Sequence, residues 1–192
     1  MKSNPLWPAV CLGALTLGCA AQPDHFYTLN TLPDRGVTAS PAPAPVIHVI
    51  LDTSVPVLND RSELVVSGDG DRILVLDHER WAAPLSDLVQ QTLARDIERR
   101  RADVLVADRR FDRPDSPPVT MKVDIVRMSA EPGRRVVIEA RWRIRGARGA
   151  LDEIGSGDYD APLEGSGYAP IAHAFSVAFG ALADALTAAL PP

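Results

Sequence analysis

Cysteine is absent from residue 20 onward; the two cysteines, Cys11 and Cys19, both fall within the first twenty of 192 residues. A domain built from the remainder can close no internal disulfide and form no thiolate metal site, so either would need a partner chain. Lysine is scarce as well: of twenty basic residues, only Lys2 and Lys122 are not arginine. A formal charge of -5 argues against nucleic acid as the main partner, because a phosphate backbone selects a basic face. Catalytic signatures are also missing. The histidines His25, His48, His78 and His173 form no H-E-x-x-H and no ligand pair at short spacing. His48 sits inside an apolar run and reads as a hydrogen-bonded core residue. Ser156 and Ser166 are flanked by glycine but lie neither in G-x-S-x-G nor at a strand-to-helix elbow. The G-x-G stretches at 68–70 and 155–157 lack the third glycine and the βαβ setting of a dinucleotide site. These absences point away from an enzyme, and no cofactor or metal is expected.

The chain starts with a positive end (the Met1 amine and Lys2), then the apolar stretch "LWPAVCLGALTLG" (6–18), then Cys19. That stretch is too short for a bilayer span of about 20 apolar residues, and Pro8 interrupts it. It has the layout of an export signal. Its end, "LTLGC", resembles the lipobox of bacterial lipoproteins, with Thr16 and Leu17 where Leu and a small residue usually stand. The resemblance implies cleavage before Cys19 and lipidation of its thiol; the rival is a plain signal peptide with Cys19 incidental. A single acyl chain holds a protein weakly, and the several chains of a lipoprotein hold it firmly. Ala20, where aspartate would signal inner-membrane retention, implies the periplasmic face of the outer membrane. The expected organisation is a signal peptide over 1–18, a lipidated tether over 19–25 and a single domain over 26–192. Within it, residues 32–45 form a Pro/Ala-rich loop that favours polyproline II.

Along the domain, "FYTLN" (26–30) predicts a short first strand. "VIHVIL" (46–51) is a strand buried on both faces, as is the stretch 73–76. Two apolar runs around Asp69-Gly70 predict a hairpin over 63–77. Leu85, Leu88, Val89, Leu93 and Ile97 keep helical spacing, with Pro84 at the first helical position. Arg95, Arg99, Arg100 and Arg101 then crowd the helix end, where cations suit the dipole; an acidic partner or lipid headgroups are the alternative. "DVLVA" (103–107) is a further strand. Val119, Met121, Val123 and Ile125 alternate with polar residues, as do Val136, Ile138, Ala140, Trp142 and Ile144, predicting a long hairpin with one wet face. The wet arginine row, Arg141, Arg143 and Arg145, reads as a solvated face in preference to a docking stripe. Residues 146–167 are turn-rich with room for one edge strand. Ile171, Phe175, Phe179, Leu182, Leu186 and Leu190 form the stripe of a second helix, stopped by Pro191. The expected class is α/β, with α+β as the variant: a mixed sheet carrying two amphipathic helices.

The ordered segments "FYTL", "VPVLNDRSELV" (55–65), "LDHERWAAPLSDLVQQTLARDI" (76–97) and "EARWRI", behind a lipoprotein cysteine, resemble the ABC-type transport auxiliary lipoproteins, in particular the PqiC (YmbA) type associated with mammalian-cell-entry (MCE) lipid transport systems. The most specific match is "RWAAPL" (80–85), with Ala83 where the pattern usually has Glu; no proline follows Arg61. The resemblance implies a fold related to the amino-terminal domain of TolB, and a non-enzymatic role as partner of the MCE-domain protein of an inner-membrane ABC transport complex. Arg61, Arg80 and Trp81 become candidate partner contacts. Trp81 is either an interface anchor or, preferentially, a staple closing onto the core. The rival readings are a periplasmic lipid-binding carrier and, behind it, an envelope hydrolase; assembly as a homo-oligomer is left open by the residues.

Overall fold

The structure, a computed structural model, describes residues 22–31, 47–107, 118–146, 149 and 151–191. The signal segment, Cys19 and the loop 32–45 lie outside these residues. Ten elements follow in order: β1 His25–Tyr27, β2 Ile47–Ser54, β3 Glu63–Ser67, β4 Ile73–Trp81, α1 Leu85–Arg100, β5 Val104–Val106, β6 Val119–Glu131, β7 Arg135–Arg145, β8 Asp152–Pro162 and α2 Ala169–Ala188. They form a five-stranded sheet, β5-β2-β6-β7-β8, and a three-stranded sheet, β1-β4-β3. Both are mixed. β2 runs parallel to β5 and β6, β6-β7-β8 is antiparallel, and β4 pairs parallel with β1 but antiparallel with β3.

The helices lie side by side on one face of the larger sheet, α1 against β2 and β5, α2 against β7 and β8. The stripes expected from spacing are the buried ones: Leu85, Leu88, Val89, Leu93 and Ile97 on α1, and Ile171, Phe175, Phe179, Leu182 and Leu186 on α2. α2 is long and apolar enough to cross a membrane by length and composition, yet most of it is buried in this core. Pro84 stands one position earlier than expected: it caps α1 with an extended ψ of 130°, and its carbonyl accepts from the amides of Asp87 and Leu88.

The long hairpin is present, and its buried parity changes along β6. Val119, Met121, Val123 and Ile125 face the helices, then a register shift between Ile125 and Arg127 moves burial to Met128 and Ala130. One extra residue in a strand switches every later side chain to the other face. On the wet face, Asp124 meets Arg141 at 2.7 Å and Ser54 at 2.6 Å, and Asp152 takes Arg143 at 2.6 Å. The arginine row is therefore an ion-paired sheet surface. β8, longer than the edge strand expected, carries Gly155 opposite Trp142, where a Cβ would stand 2.4 Å from the indole ring. Only a glycine lets Trp142 lie across that strand.

Two expectations are corrected. Residues 73–76 are not buried on both faces: Ile73, Leu74 and Val75 are 49%, 43% and 39% exposed. They begin the strand beside the β3–β4 turn, beyond the cover of either helix, while Leu64 and Val66 across the pairing reach the core. Arg95 and Arg99 are solvated as expected, but Arg100 and Arg101 at the end of α1 are more than a solvated helix end. Arg100 pairs with Asp96, fully buried one turn earlier, and also with Asp184 and the Gly180 carbonyl of α2. Arg101 holds Asp103 and the Pro191 carbonyl. These contacts tie α1 to the far helix.

Candidate functional site

The β2–β3 loop and the β4–α1 junction are distant in sequence and meet in space. The loop folds through its own backbone: the amides of Asn59 and Asp60 donate to the Pro56 carbonyl at 2.8 and 3.0 Å, and Arg61 donates to that of Asn59 at 2.8 Å. Pro56 fixes φ at the start of such a turn, and Asn tolerates the tight backbone that follows. Asn59 is buried beneath the loop, whereas Val57 projects with 92% of its surface exposed and Leu58 with 49%. The junction is stitched to the loop and to β1: the Trp81 amide donates to Ser62 and the Ala82 amide to Tyr27, both at 2.7 Å.

Together they enclose an open hollow of about 320 Å³, lined by Asp60, Arg61, Ser62, Trp81, Ala83 and Pro84. Its volume lies at the low end of ligand-site sizes, about 300–1,000 Å³. An apolar floor (Trp81, Ala83, Pro84) under a polar rim (Asp60, Arg61, Ser62) resembles the anchor pockets of protein interfaces.

Of the three predicted contact residues, Arg61 and Trp81 line this hollow and Arg80 stands behind it. Arg61 is solvent-exposed. Arg80 is half-buried and donates to Ser62 Oγ at 3.0 Å and to Glu63 Oε1 at 2.9 Å, with Asp24 at 3.8 Å. Ser62, and behind it the Arg80 charge, holds the Glu63 carboxyl below its ordinary range. Trp81 is only 5% exposed, and its ring lies 6.4 Å from that of Phe175, tilted by 55°. The staple reading expected from sequence fits this burial: Trp81 packs on Phe175 of α2 and leaves little of its surface to the hollow.

β1 belongs to the same constellation. Glu79 accepts from the Tyr27 hydroxyl and stands 3.0 Å from His25 Nδ1, while His78 Nδ1 stands 2.9 Å from Asp24. Burial works against ionising Glu79, yet the bonds from Tyr27 and His25 keep its carboxyl below the ordinary range. Burial first, then the bond to Glu79 and its charge, push the Tyr27 hydroxyl up to about 12. This polar ladder fastens the strand that follows the tether.

Sequence reasoning missed Val57 and Leu58. The signal was present, since an apolar pair between Pro56 and Asn59-Asp60 belongs to no strand pattern. Ser156 lies on the edge strand and Ser166 in the loop before α2, and no bond links either to a histidine among the described residues. Among the described residues, no cluster of three or more His, Cys, Asp or Glu has metal-binding geometry.

A family model described as "ABC-type transport auxiliary lipoprotein component" matches residues 27–187. Among solved structures, the chain is similar to a crystal structure of an uncharacterised protein, at 12% identity and a TM-score of 0.69, with 87% of this chain and 98% of that one covered. It is also similar to the crystal structure of a Xanthomonas campestris protein of the DUF330 family, at 16% identity and a TM-score of 0.65, covering 85% and 92%. These likenesses show a shared fold. No curated protein matches the sequence.

Proposed function

Because the chain belongs to the ABC-type transport auxiliary lipoprotein component family, we propose that it acts without chemistry of its own, as a PqiC/YmbA-type subunit of a lipid transport system. In this reading Cys19 is acylated, the protein sits on the periplasmic face of the outer membrane, and the domain docks the MCE-domain protein of an inner-membrane ABC complex. The carrying observation is the hollow beside Trp81, where the RWAAPL segment meets residues 60–62 of the β2–β3 loop, the loop on which Val57 and Leu58 are exposed. Exposed apolar side chains on a loop next to a small pocket suit a partner that inserts one or two side chains. Arg61 at the rim would steer and orient an acidic partner edge, an effect of charge that falls with salt.

Affinity capture of the tagged protein from gently solubilised envelopes tests this, with mass spectrometry of the companions and of the mature N-terminus. Recovery of an MCE-domain protein with an acylated Cys19 supports the reading. An acylated protein that arrives with lipid and no protein companion would replace it with the carrier alternative. Measurable hydrolysis of envelope substrates, lost on replacing Ser156 or Ser166, would restore the enzyme reading.

A further inference from the structure

We propose that the β3–β4 hairpin tip is the membrane-facing end of the domain, and that Ile73, Leu74 and Val75 seat in the interfacial layer of the bilayer to which Cys19 is attached. The proposal rests on the lipidation of Cys19. It begins from the corrected expectation: three consecutive apolar residues at the start of β4 stand 39–49% exposed, on both faces of a strand that no helix covers there. Consecutive exposed apolar residues are unfavourable in water and mark a surface meant for contact.

The path of the chain names that contact. β1 runs parallel to β4, with His25 opposite Glu79, Phe26 opposite Arg80 and Tyr27 opposite Trp81. The Asp24–His78 pair keeps the same offset one residue earlier. Traced backward as far as Asp24, the chain therefore heads along β4 toward the hairpin turn. The reach agrees. Five peptide steps separate Asp24, held by His78, from Cys19, a span of at most about 18 Å in any conformation. On β4, Ile73 lies five strand residues before His78, about 17 Å. A tether of that length can bring an acylated Cys19 to the hairpin tip.

Charge fixes the kind of contact. The tip carries Asp69, Asp71 and Arg72, and the neighbouring β6–β7 turn carries Arg134 paired with Glu131 at 2.8 Å. Both turns line one hollow of about 780 Å³ that includes Leu74. Acids and bases nearly balance, so the contact is with the apolar boundary of the bilayer and not with anionic headgroups, and added salt should leave it intact.

The test uses the mature full-length protein, extracted in detergent and reconstituted into vesicles of phosphatidylethanolamine and phosphatidylglycerol. Acylation blocks Cys19, so Leu74→Cys, with Ile73→Cys as a second site, accepts an environment-sensitive fluorophore. Ile154→Cys on β8, 71% exposed, is the control. The expected result is a blue-shifted probe at 73 and 74, quenched several-fold more by spin-labelled lipid than the probe at 154, with no change on adding salt. Equal quenching at all three sites, with the Cys19 acyl mass confirmed, overturns the orientation and leaves the lipoprotein reading standing. Quenching at 73 and 74 that salt abolishes overturns the apolar contact. An N-terminus without acyl mass removes both readings.

Discussion

Replacing Trp81 by alanine separates the two roles that one residue in a family-like motif could have. The side chain is 5% exposed and packs at 6.4 Å on Phe175, itself 1% exposed. Truncating a buried Trp costs about 3–5 kcal/mol, the transfer free energy of the lost atoms plus the cavity left behind. The aromatic pair accounts for about 0.5–1.5 kcal/mol beyond area. For a chain of this size each kcal/mol moves the melting midpoint by about 2–4 °C, so Trp81→Ala should melt about 6–20 °C below the parent. Arg61→Ala removes an exposed charge at the rim of the same hollow and should stay within about 0.5 kcal/mol of the parent. Urea unfolding of both variants, followed by partner capture below their transitions, reads the two effects separately. Trp81→Ala should lose stability first and capture only as a consequence; Arg61→Ala should lose capture at unchanged stability. A Trp81→Ala variant destabilised by less than about 1 kcal/mol would refute the packing argument and make the residue an interface anchor.

Arg100→Ala should destabilise by about 1.5–3 kcal/mol, because it removes one ion pair of the buried Asp96 together with the bonds to Asp184 and the Gly180 carbonyl that tie α1 to α2; chemical denaturation measures it, and a near-neutral result would make these contacts dispensable. Gly155→Ala should cost about 1–3 kcal/mol and shift Trp fluorescence, because the new Cβ would meet the Trp142 ring at 2.4 Å. The pH profile has two limbs with opposite signs. Glu79 has its carboxyl held below the ordinary 4.5, so the stabilisation is present above that pH and is lost as pH falls through the lowered value. Tyr27 is raised from 10.0 to about 12, so its contribution is complete below pH 10.0 and is lost as pH rises toward 12. Unfolding midpoints across pH should show both limbs, and Glu79→Gln should remove the acid limb and only reduce the alkaline one, whose first cause is burial of Tyr27; an unaltered profile would mean the Tyr27–Glu79 pair contributes nothing.

Periodicity made both helices and the long hairpin legible, because Leu85 to Ile97 and Ile171 to Leu186 repeat at helical spacing and Val119 to Ile125 alternate. Three things were not. The β-bulge after Ile125 leaves no composition mark, since Val126 reads as one more apolar strand residue. The exposure of Ile73 to Val75 depends on where the helices end in space, which no local pattern records. The assembly of the hollow from residues 60–62 and 81–84 depends on a long-range pairing, Glu63 with Arg80, visible only once the strands are in register. Arg61, Arg80 and Trp81 were found as sequence motifs, whereas their unequal exposure belongs to the fold.

In the proposed function, the exposed loop beside this hollow meets the transport complex. A photo-crosslinking amino acid at Val57, 92% exposed, placed in the native envelope, examines it most directly. Position 57 should give an adduct with an MCE-domain protein, and position 154 on the β8 edge should give none. Adducts from position 154 alone, with position 57 silent, would contradict it and move the docking face to the other sheet.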